Sequence, residues 1–445
     1  MLQQRRRLRA LLLVFVLLAL LCAYWKIANR SPPTVFAPAP GFAVPPLSDR
    51  RPGAELSPDG RFRFDANFVS AAPGQAVHAA TLVELKNGDL RAVWFSGSRE
   101  GAGDVTVQTA VMNIRTQRWS QETSLFDTHH VQRSLMRYVK KLGNPVIGRA
   151  PDGNLMLWMV NVSLGGWAGS AISFARSQDE GITWSVPQRL VTSPFLNIST
   201  LVKSPPVSLA NGNMLLPVYH EFVTKFSEVL QLDATGQIFD KVRVPGSQTS
   251  LQPVVMVSSV TNAQMYMRSS ASNALVQSAS FDGGANWSKS RTGALPNPDA
   301  AVAGVVTQTL NTQPRQWLAL NPTTNNREQL ALISAPLGGS FEGAMPWMVE
   351  STRSPDARLD IADYERLLSD ELKQRGATEK QAQAYAASAR RQLCGASHCA
   401  QEFSYPFLLQ TRDGDLHLVY TWHRTRIKHI RLNLLQISMP QGAKQ

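Results

Sequence analysis

The sequence predicts an all-β fold, a six-bladed β-propeller that follows an N-terminal transmembrane helix and carries a helical insertion in its fifth blade. Three observations predict it: a turn of the type Asn/Asp-Gly-x-Leu recurs between apolar strands, a β-rich third strand follows most of these hairpins, and a Ser-x-Asp-x-Gly-x-x-Trp motif occurs twice at equivalent places. With 43% hydrophobic and 17% charged residues, the 445-residue chain has the composition of a folded protein with a sizeable core.

The N-terminus comes first. Arg5, Arg6, Arg7 and Arg9 form a basic tail (1–9), and an apolar run from Ala10 to Trp25 follows with no charge before Lys26. Extended through Ile27 and Ala28, with Lys26 snorkelling, residues 10–28 approach the roughly 20 residues a spanning helix needs. A cleaved signal peptide is the rival reading; no small-x-small cleavage site follows Trp25, which favours a retained anchor. The arginines hold the tail in the cytoplasm and send the rest across. The expected location is the inner (cytoplasmic) membrane, single-pass, with the propeller in the periplasm or extracellular space. Residues 29–59 read as a semi-rigid spacer, with eight prolines between 31 and 58.

A net charge of +13 does not indicate nucleic acid here, because a translocated domain does not meet it and no Lys/Arg block recurs after residue 10. The expected partners are an acidic carbohydrate and, through the one helix, the membrane. No cofactor is expected. Cys394 and Cys399, with four residues between them in CGASHC, are expected to form a disulfide in an oxidising compartment. A metal site would need His398 and a second ligand cluster, so none is expected.

The propeller is expected over 60–440. Its hairpin turns are KNGDL (86–90), PDGNL (151–155), ANGNM (210–214) and RDGDL (412–416), where Gly and Asn accept the positive φ of tight turns. VTNAQ (260–264) and TTNNR (323–327) are weaker turns that complete six. Repeats of this length suit blades that bury their faces on one another. The strand over 61–70 is expected to supply the outer strand of the last blade. Residues 346–401 change character, with helical spacing from Ile361 to Leu393, and read as an insertion.

The two motif copies are Ser177-x-Asp179-x-Gly181-x-x-Trp184 and Ser280-x-Asp282-x-Gly284-x-x-Trp287. Such Asp-boxes resemble those of sialidases and the wider set of BNR-repeat proteins, over roughly residues 75 to 435. The segments SREGAGD, KSPP, PVYHE, LPNP, FSYP and YTWHRTRIKHIRL look like the bacterial branch called predicted neuraminidases. The Asp-box is a folding device in that family and speaks for fold more than for activity.

The starts of first strands and the ends of second strands converge on one face of a propeller. The starts are His78, Asn144, Lys203 with Ser204, Gln252, Asn297 with Asp299, and Ser404 with Tyr405. Five are followed by proline, which suits a strand's first residue. The ends are Arg99 with Glu100, Asn161, His220 with Glu221, Arg268, Asn321, and His423, Arg424 and Arg426. Any one of these polar groups can simply cap a strand; a ring of them with aromatic neighbours suits an acidic or polyhydroxylated sugar.

The resemblance to sialidases implies three arginines on the substrate carboxylate, a tyrosine–glutamate nucleophile and an aspartate acid. Arg268 matches one triad arginine. His78 and Asn321 occupy positions where the others are expected, leaving Arg99, Arg424 or Arg426 as substitutes. Tyr405 is the candidate nucleophile, unless Phe403 holds the matching position. Asp104 is the candidate acid/base with Glu100 as rival, and Glu221 the partner carboxylate. The substrate-binding set is Arg99, Arg268, His78, Lys203, His220, Gln252, Asn297, Asn321, His423, Arg424 and Arg426. The resemblance implies an exo-glycosidase acting on an acidic sugar of a cell-envelope or extracellular glycan. Two alternatives stand beside it: a non-hydrolytic glycan-binding propeller, and a uronate polysaccharide lyase using His220, Tyr405 and arginines.

Overall fold

The structure is a computed structural model and describes residues 2–28, 34–38, 53–57, 60, 62–70, 75–193, 197–309, 312–323, 327–351 and 358–434. The chain forms two compact units, 1–34 and 35–445. The first holds helix α1, Leu2–Ala28. Its span Gln4–Trp25 is, among the described residues, long and apolar enough to cross a membrane, and a secretion signal has the same character.

The second unit is a six-bladed propeller. Blade 1 comprises Ala76–Glu84, Leu90–Gly97, Thr106–Asn113 and Arg118–Trp119, with Thr123–Asp127 also on its third strand. A short helix the sequence reading did not anticipate, α2 (Thr128–Leu135), follows it. Blade 2 runs Lys141–Arg149, Leu155–Val162, Ser170–Ser177 and Gln188–Arg189. In blade 3 the innermost strand is interrupted at the KSPP prolines into Leu201–Val202 and Val207–Ser208, both pairing with Met214–His220. Blade 4 comprises Ser250–Val257, Ala263–Ser269, Ala274–Ser280 and Arg291–Pro296; blade 5 comprises Ala303–Thr309, Thr312–Leu320, Leu330–Pro336 and Trp347–Glu350.

Blade 6 takes Phe403–Gln410, Leu416–Trp422 and Arg426–Leu432 from the end of the chain and closes the ring with the early strand Arg63–Phe68. The expected closing strand is therefore where the sequence placed it. Blade faces are dry on both sides: every residue of Leu155–Val162 is buried, and Trp94, Trp158 and Trp422 are among the largest buried side chains. This double burial is why these strands read as unbroken apolar runs.

Three expectations are corrected. TTNNR does not turn between the first two strands of blade 5. It follows Leu320, at the other end of the blade, and residues 324–326 lie outside the described set. The spacer is not free over its whole length. Phe36 is 1% exposed, its N–H donates to the Val260 carbonyl at 2.8 Å, and Ala37 donates to Ser208, so the chain is clamped between blades 3 and 4. Glu55–Leu56 adds a further strand to blade 6. Finally, proline does not mark the first residue of these strands. Pro145, Pro253 and Pro406 lie inside innermost strands at β-bulges, where the missing N–H costs no ladder bond.

The insertion contains α3 (Ile361–Gln374) and α4 (Glu379–Leu393). Asp360 caps the first, and Thr378 with Gln381 forms a capping box on the second. Tyr364, Leu368, Leu372 and Tyr385 bury one face in a core shared with Trp347, Leu418 and Tyr420 of blades 5 and 6. The Cys394–Cys399 disulfide closes the excursion.

The Asp-boxes are small hydrogen-bonded knots. The Ser177 hydroxyl donates to Asp179 at 2.8 Å and accepts from Gly181 N–H, while Asp179 accepts from Thr183 N–H. Ser280, Asp282, Gly284 and Asn286 repeat the pattern. A Cβ on Gly284, at φ +84°, would sit 2.2 Å from Leu215 Cδ1.

Candidate active site

Strand pairing skips between His78 and Thr81, Gly143 and Val146, Leu251 and Val254, and Ser404 and Phe407. At these bulges Ala79, Asn144, Gln252 and Tyr405 take positive φ, 56°, 38°, 51° and 52°. A bulge re-aims side chains, and a left-handed non-glycine residue is a strain that the surrounding fold must hold. Repeated in four blades, this device brings His78, Asn144, Gln252 and Tyr405 to one axial cavity of ≈ 220 Å³. Phe403 packs in the core, so of the two sixth-blade candidates it is Tyr405 that faces the cavity.

The opposite walls carry charge. Glu221 and Arg268 come from second-strand ends, and Glu100, Arg327 and Arg424 from the loops beyond. Arg268 Nε donates to Asp299 Oδ1 at 2.5 Å and its Nη1 to Gln252 Oε1 at 3.2 Å; Gln252 Nε2 donates to the Tyr405 hydroxyl at 2.9 Å. A continuous chain thus runs from carboxylate through guanidinium and amide to phenol. Arg424 Nε donates to Glu402 at 2.7 Å and its Nη1 to Glu100 at 3.2 Å, while Arg327 stands 3.7 Å from Glu402.

Burial sets the protonation states. It pulls the Arg268 guanidinium down, but the bond to Asp299 and the nearby Tyr405 outweigh it, and the group stays firmly charged. Burial pushes the Glu221 carboxyl up, and Lys225 and Arg268 offset this only in part. It lowers His78 to about 4 despite Glu100, so His78 is a neutral ring, tilted 4.2 Å from that of Tyr405. Glu402 resists its burial: the Arg424 guanidinium holds it down at about 2. Tyr219, which accepts from Asn144 at 3.1 Å, is pushed well up by burial, with Tyr405 and Glu221 nearby.

Other expected site residues lie elsewhere. Lys203 is buried behind the cavity and its amine donates to the carbonyls of Val302 (2.8 Å) and Pro406 (2.7 Å); with no carboxylate partner among the described residues, burial lowers it to about 7. His220 turns aside to Glu228 at 3.0 Å and stacks on Phe226. Asn297 and Asn321 spend their amides on backbone carbonyls of Ala300, Gln329 and Phe403. His423 meets the Tyr364 hydroxyl under the insertion, and Arg426 is sandwiched between the rings of Phe68 and Tyr385, where burial lowers it to about 10. The Asp104 carboxylate accepts from the Ser98 N–H and hydroxyl, both at 3.0 Å, and caps its own loop outside the cavity lining. Arg99 opens onto an adjoining groove. Arg327, Tyr219 and Trp167 line the cavity without having been singled out. Arg327 belonged to the misplaced TTNNR turn; had that segment been put at the axial end of the blade, an arginine there would have stood out.

Fold and site together define a six-bladed propeller whose axial cavity gathers Arg268, Arg327 and Arg424 with Tyr405, Glu100 and Glu221. A profile for the BNR repeat-like domain matches residues 88–418. The chain belongs to that family. Similar solved structures include the Hadza microbial sialidase Hz136 (13% identity, TM-score 0.59, 82% of this chain and 66% of that one). The intramolecular trans-sialidase of Ruminococcus gnavus is similar at 13% identity and TM-score 0.58, over 84% and 96% of the two chains. A protein of unknown function from Dyadobacter fermentans matches at 10% identity and TM-score 0.60, over 83% and 97%. Such identities show a shared fold. The chain spans 66% of the length of the Hz136 sialidase. No curated protein sequence matches it.

Proposed function

We propose that the protein is a sialidase-like exo-glycosidase that removes a carboxylate-bearing sugar from the end of a cell-envelope or extracellular glycan. The observation that carries this reading is the meeting of Arg268, Arg327 and Arg424 with Tyr405 and Glu221 around one small cavity. Planar guanidinium forks match a carboxylate, and a pocket of this size suits one terminal sugar. Two similar structures are, by name, a sialidase and a trans-sialidase.

In the first step the Tyr405 hydroxyl gives its proton to Glu221 as its oxygen bonds the anomeric carbon. The glycosidic C–O bond breaks and the leaving oxygen takes a proton from Glu100. Water then attacks the same carbon, giving its proton to Glu100, while the Tyr405–carbon bond breaks and the phenolate recovers its proton from Glu221. The raised Glu221 carboxyl is a stronger base than an exposed one. Gln252 holds the phenol, and Arg268 faces the developing phenolate charge.

The detergent-solubilised full chain, incubated with sialylated and uronate-bearing glycans in H₂¹⁸O, should release an acidic monosaccharide carrying one ¹⁸O by mass spectrometry, and Tyr405→Phe should not. Release of an unsaturated sugar, or none from either panel, removes the reading. Binding without hydrolysis has one observation in its favour: Glu100 is ion-paired with Arg424 and Asp104 is tied to Ser98, which leaves the acid role contested. Elimination loses the base first considered for it, because His220 is held by Glu228 away from the cavity. In the same reading α1 is a retained anchor of the inner membrane and the propeller faces the periplasm. Protease added to spheroplasts should then remove the propeller and spare the arginine tail.

A further inference from the structure

Beyond the mouth of the axial cavity lies an open groove of ≈ 560 Å³. Glu100, Trp167 and Arg424 line both spaces, so the two are continuous. The groove adds Arg99, Lys141 and Arg391, which sets four cations against one carboxylate, and that carboxylate already pairs with Arg424.

The groove is a built feature. Trp167, on the short turn Trp167–Gly169 of blade 2, seats its indole across Gly143, where a Cβ would stand 2.6 Å from the ring. The Lys141 ammonium lies 4.0 Å above that ring and is lowered by burial, with Arg99 acting in the same sense and Glu100 opposing. From the far side the last turn of α4 brings Arg391, and the next residue, Gln392, donates to the Arg424 carbonyl at 3.3 Å. The insertion is thereby tied to the loop that carries an axial arginine. Cations gathered along one groove raise the local potential that draws an anion.

We infer that this groove is a second anion subsite, and that the substrate is an acidic oligosaccharide with at least two anionic sugars, one in the axial cavity and the next, on the leaving side of Glu100, in the groove. The inference rests on the carboxylate-sugar reading of the axial cavity. It assigns to the last turn of α4 a recognition role, through Arg391: it helps select the charge of the sugar that departs.

The test is calorimetric binding to the detergent-solubilised full chain with hydrolysis-resistant probes. The one-anion probe is the methyl α-thioglycoside of N-acetylneuraminic acid, and the two-anion probe is its S-linked α2,8 dimer. Methyl 1-thio-α-galacturonide and its S-linked dimer form a parallel pair for a uronate glycan. In one pair the two-anion probe should bind about tenfold or more tighter at low salt, the gain shrinking in 0.5 M salt. Combined Lys141→Gln and Arg391→Gln should erase most of that gain and leave the one-anion probe within about twofold. Equal binding of both members of a pair, or a gain that survives the double substitution, overturns the groove subsite and leaves the axial reading standing. If neither pair binds, the axial reading falls and the groove assignment with it.

Discussion

Replacing Arg268 by lysine isolates what the guanidinium does. Its Nε holds Asp299 and its Nη1 holds Gln252, which in turn holds Tyr405. A lysine ammonium reaches one of these partners and loses the planar fork. One charge-assisted hydrogen bond corresponds to about 1.5–3 kcal/mol, so turnover on an acidic substrate should fall roughly ten- to hundredfold. Because Gln252 also loses its anchor, kcat should fall along with the rise in KM. Stability should scarcely move. Arg268–Asp299 does link blade 4 to the segment entering blade 5, but the Asp299 side chain is 52% exposed, and such a pair contributes about 1 kcal/mol or less. In a propeller of this size that is under about 2 °C in melting temperature. Steady-state kinetics and a calorimetric melt on the same preparation decide the matter. A variant that melts many degrees lower while handling acidic sugars normally would make Arg268 a blade tie, and the reasoning would fail.

Glu221→Gln should cost on the order of 10²–10⁴ in turnover. In the proposed mechanism Glu221, with its raised pKa, is the base, so wild-type activity should fall on acidification at a pH above the ordinary glutamate range, and this limb should vanish in the variant. Acid should also weaken the fold. Burial lowers His78 to about 4 and His417 and His423 to about 3, against roughly 6.5 in the unfolded chain, so unfolding takes up protons below that value. Their stabilisation, whole above pH 6.5, drains by roughly 1.4 kcal/mol per group per unit as pH falls, toward 4 for His78 and toward 3 for His417 and His423, and urea midpoints that stay flat from pH 7 to 4 would contradict this. Gly284→Ala should destabilise by about 2–4 kcal/mol, adding a clash with Leu215 to left-handed strain, whereas Gly212→Ala, with nothing within 4 Å, should cost only the strain. Equal denaturation midpoints for the two would refute the packing role given to the Asp-box glycine.

Legibility followed the chemistry of turns. Blades 1, 2, 3 and 6 announced themselves through glycines in their hairpins, at 88, 153, 212 and 414, all of which have positive φ. Blade 5 has no such glycine, its first turn was put at the wrong end, and Arg327 was lost with it. The polar ring was found because it follows apolar runs, yet sequence spacing does not tell a side chain at a bulge from one in register. Tyr405 and Gln252 reach the cavity because bulges turn them there. Lys203, Asn297 and Asn321 are as polar and as near the axis, but spend their donors on backbone carbonyls. Nothing in the residue type marks that difference, which arises when blades meet.

The closing of the ring sets when the axial cavity is complete. Asp65 and Arg431, joined in the sixth blade, stand 366 positions apart, and the strand over Arg63–Phe68 must wait for almost the whole chain before it finds its partner. Tyr405 and Arg424 belong to that same late blade, so the cavity gains the Tyr405 phenol and one of its three guanidiniums only as the ring shuts. Long-range closure of this kind is slow. A chain cut short before blade 6 is open-edged and lacks Tyr405 and Arg424 at the cavity, the kind of unfinished sheet that invites aggregation.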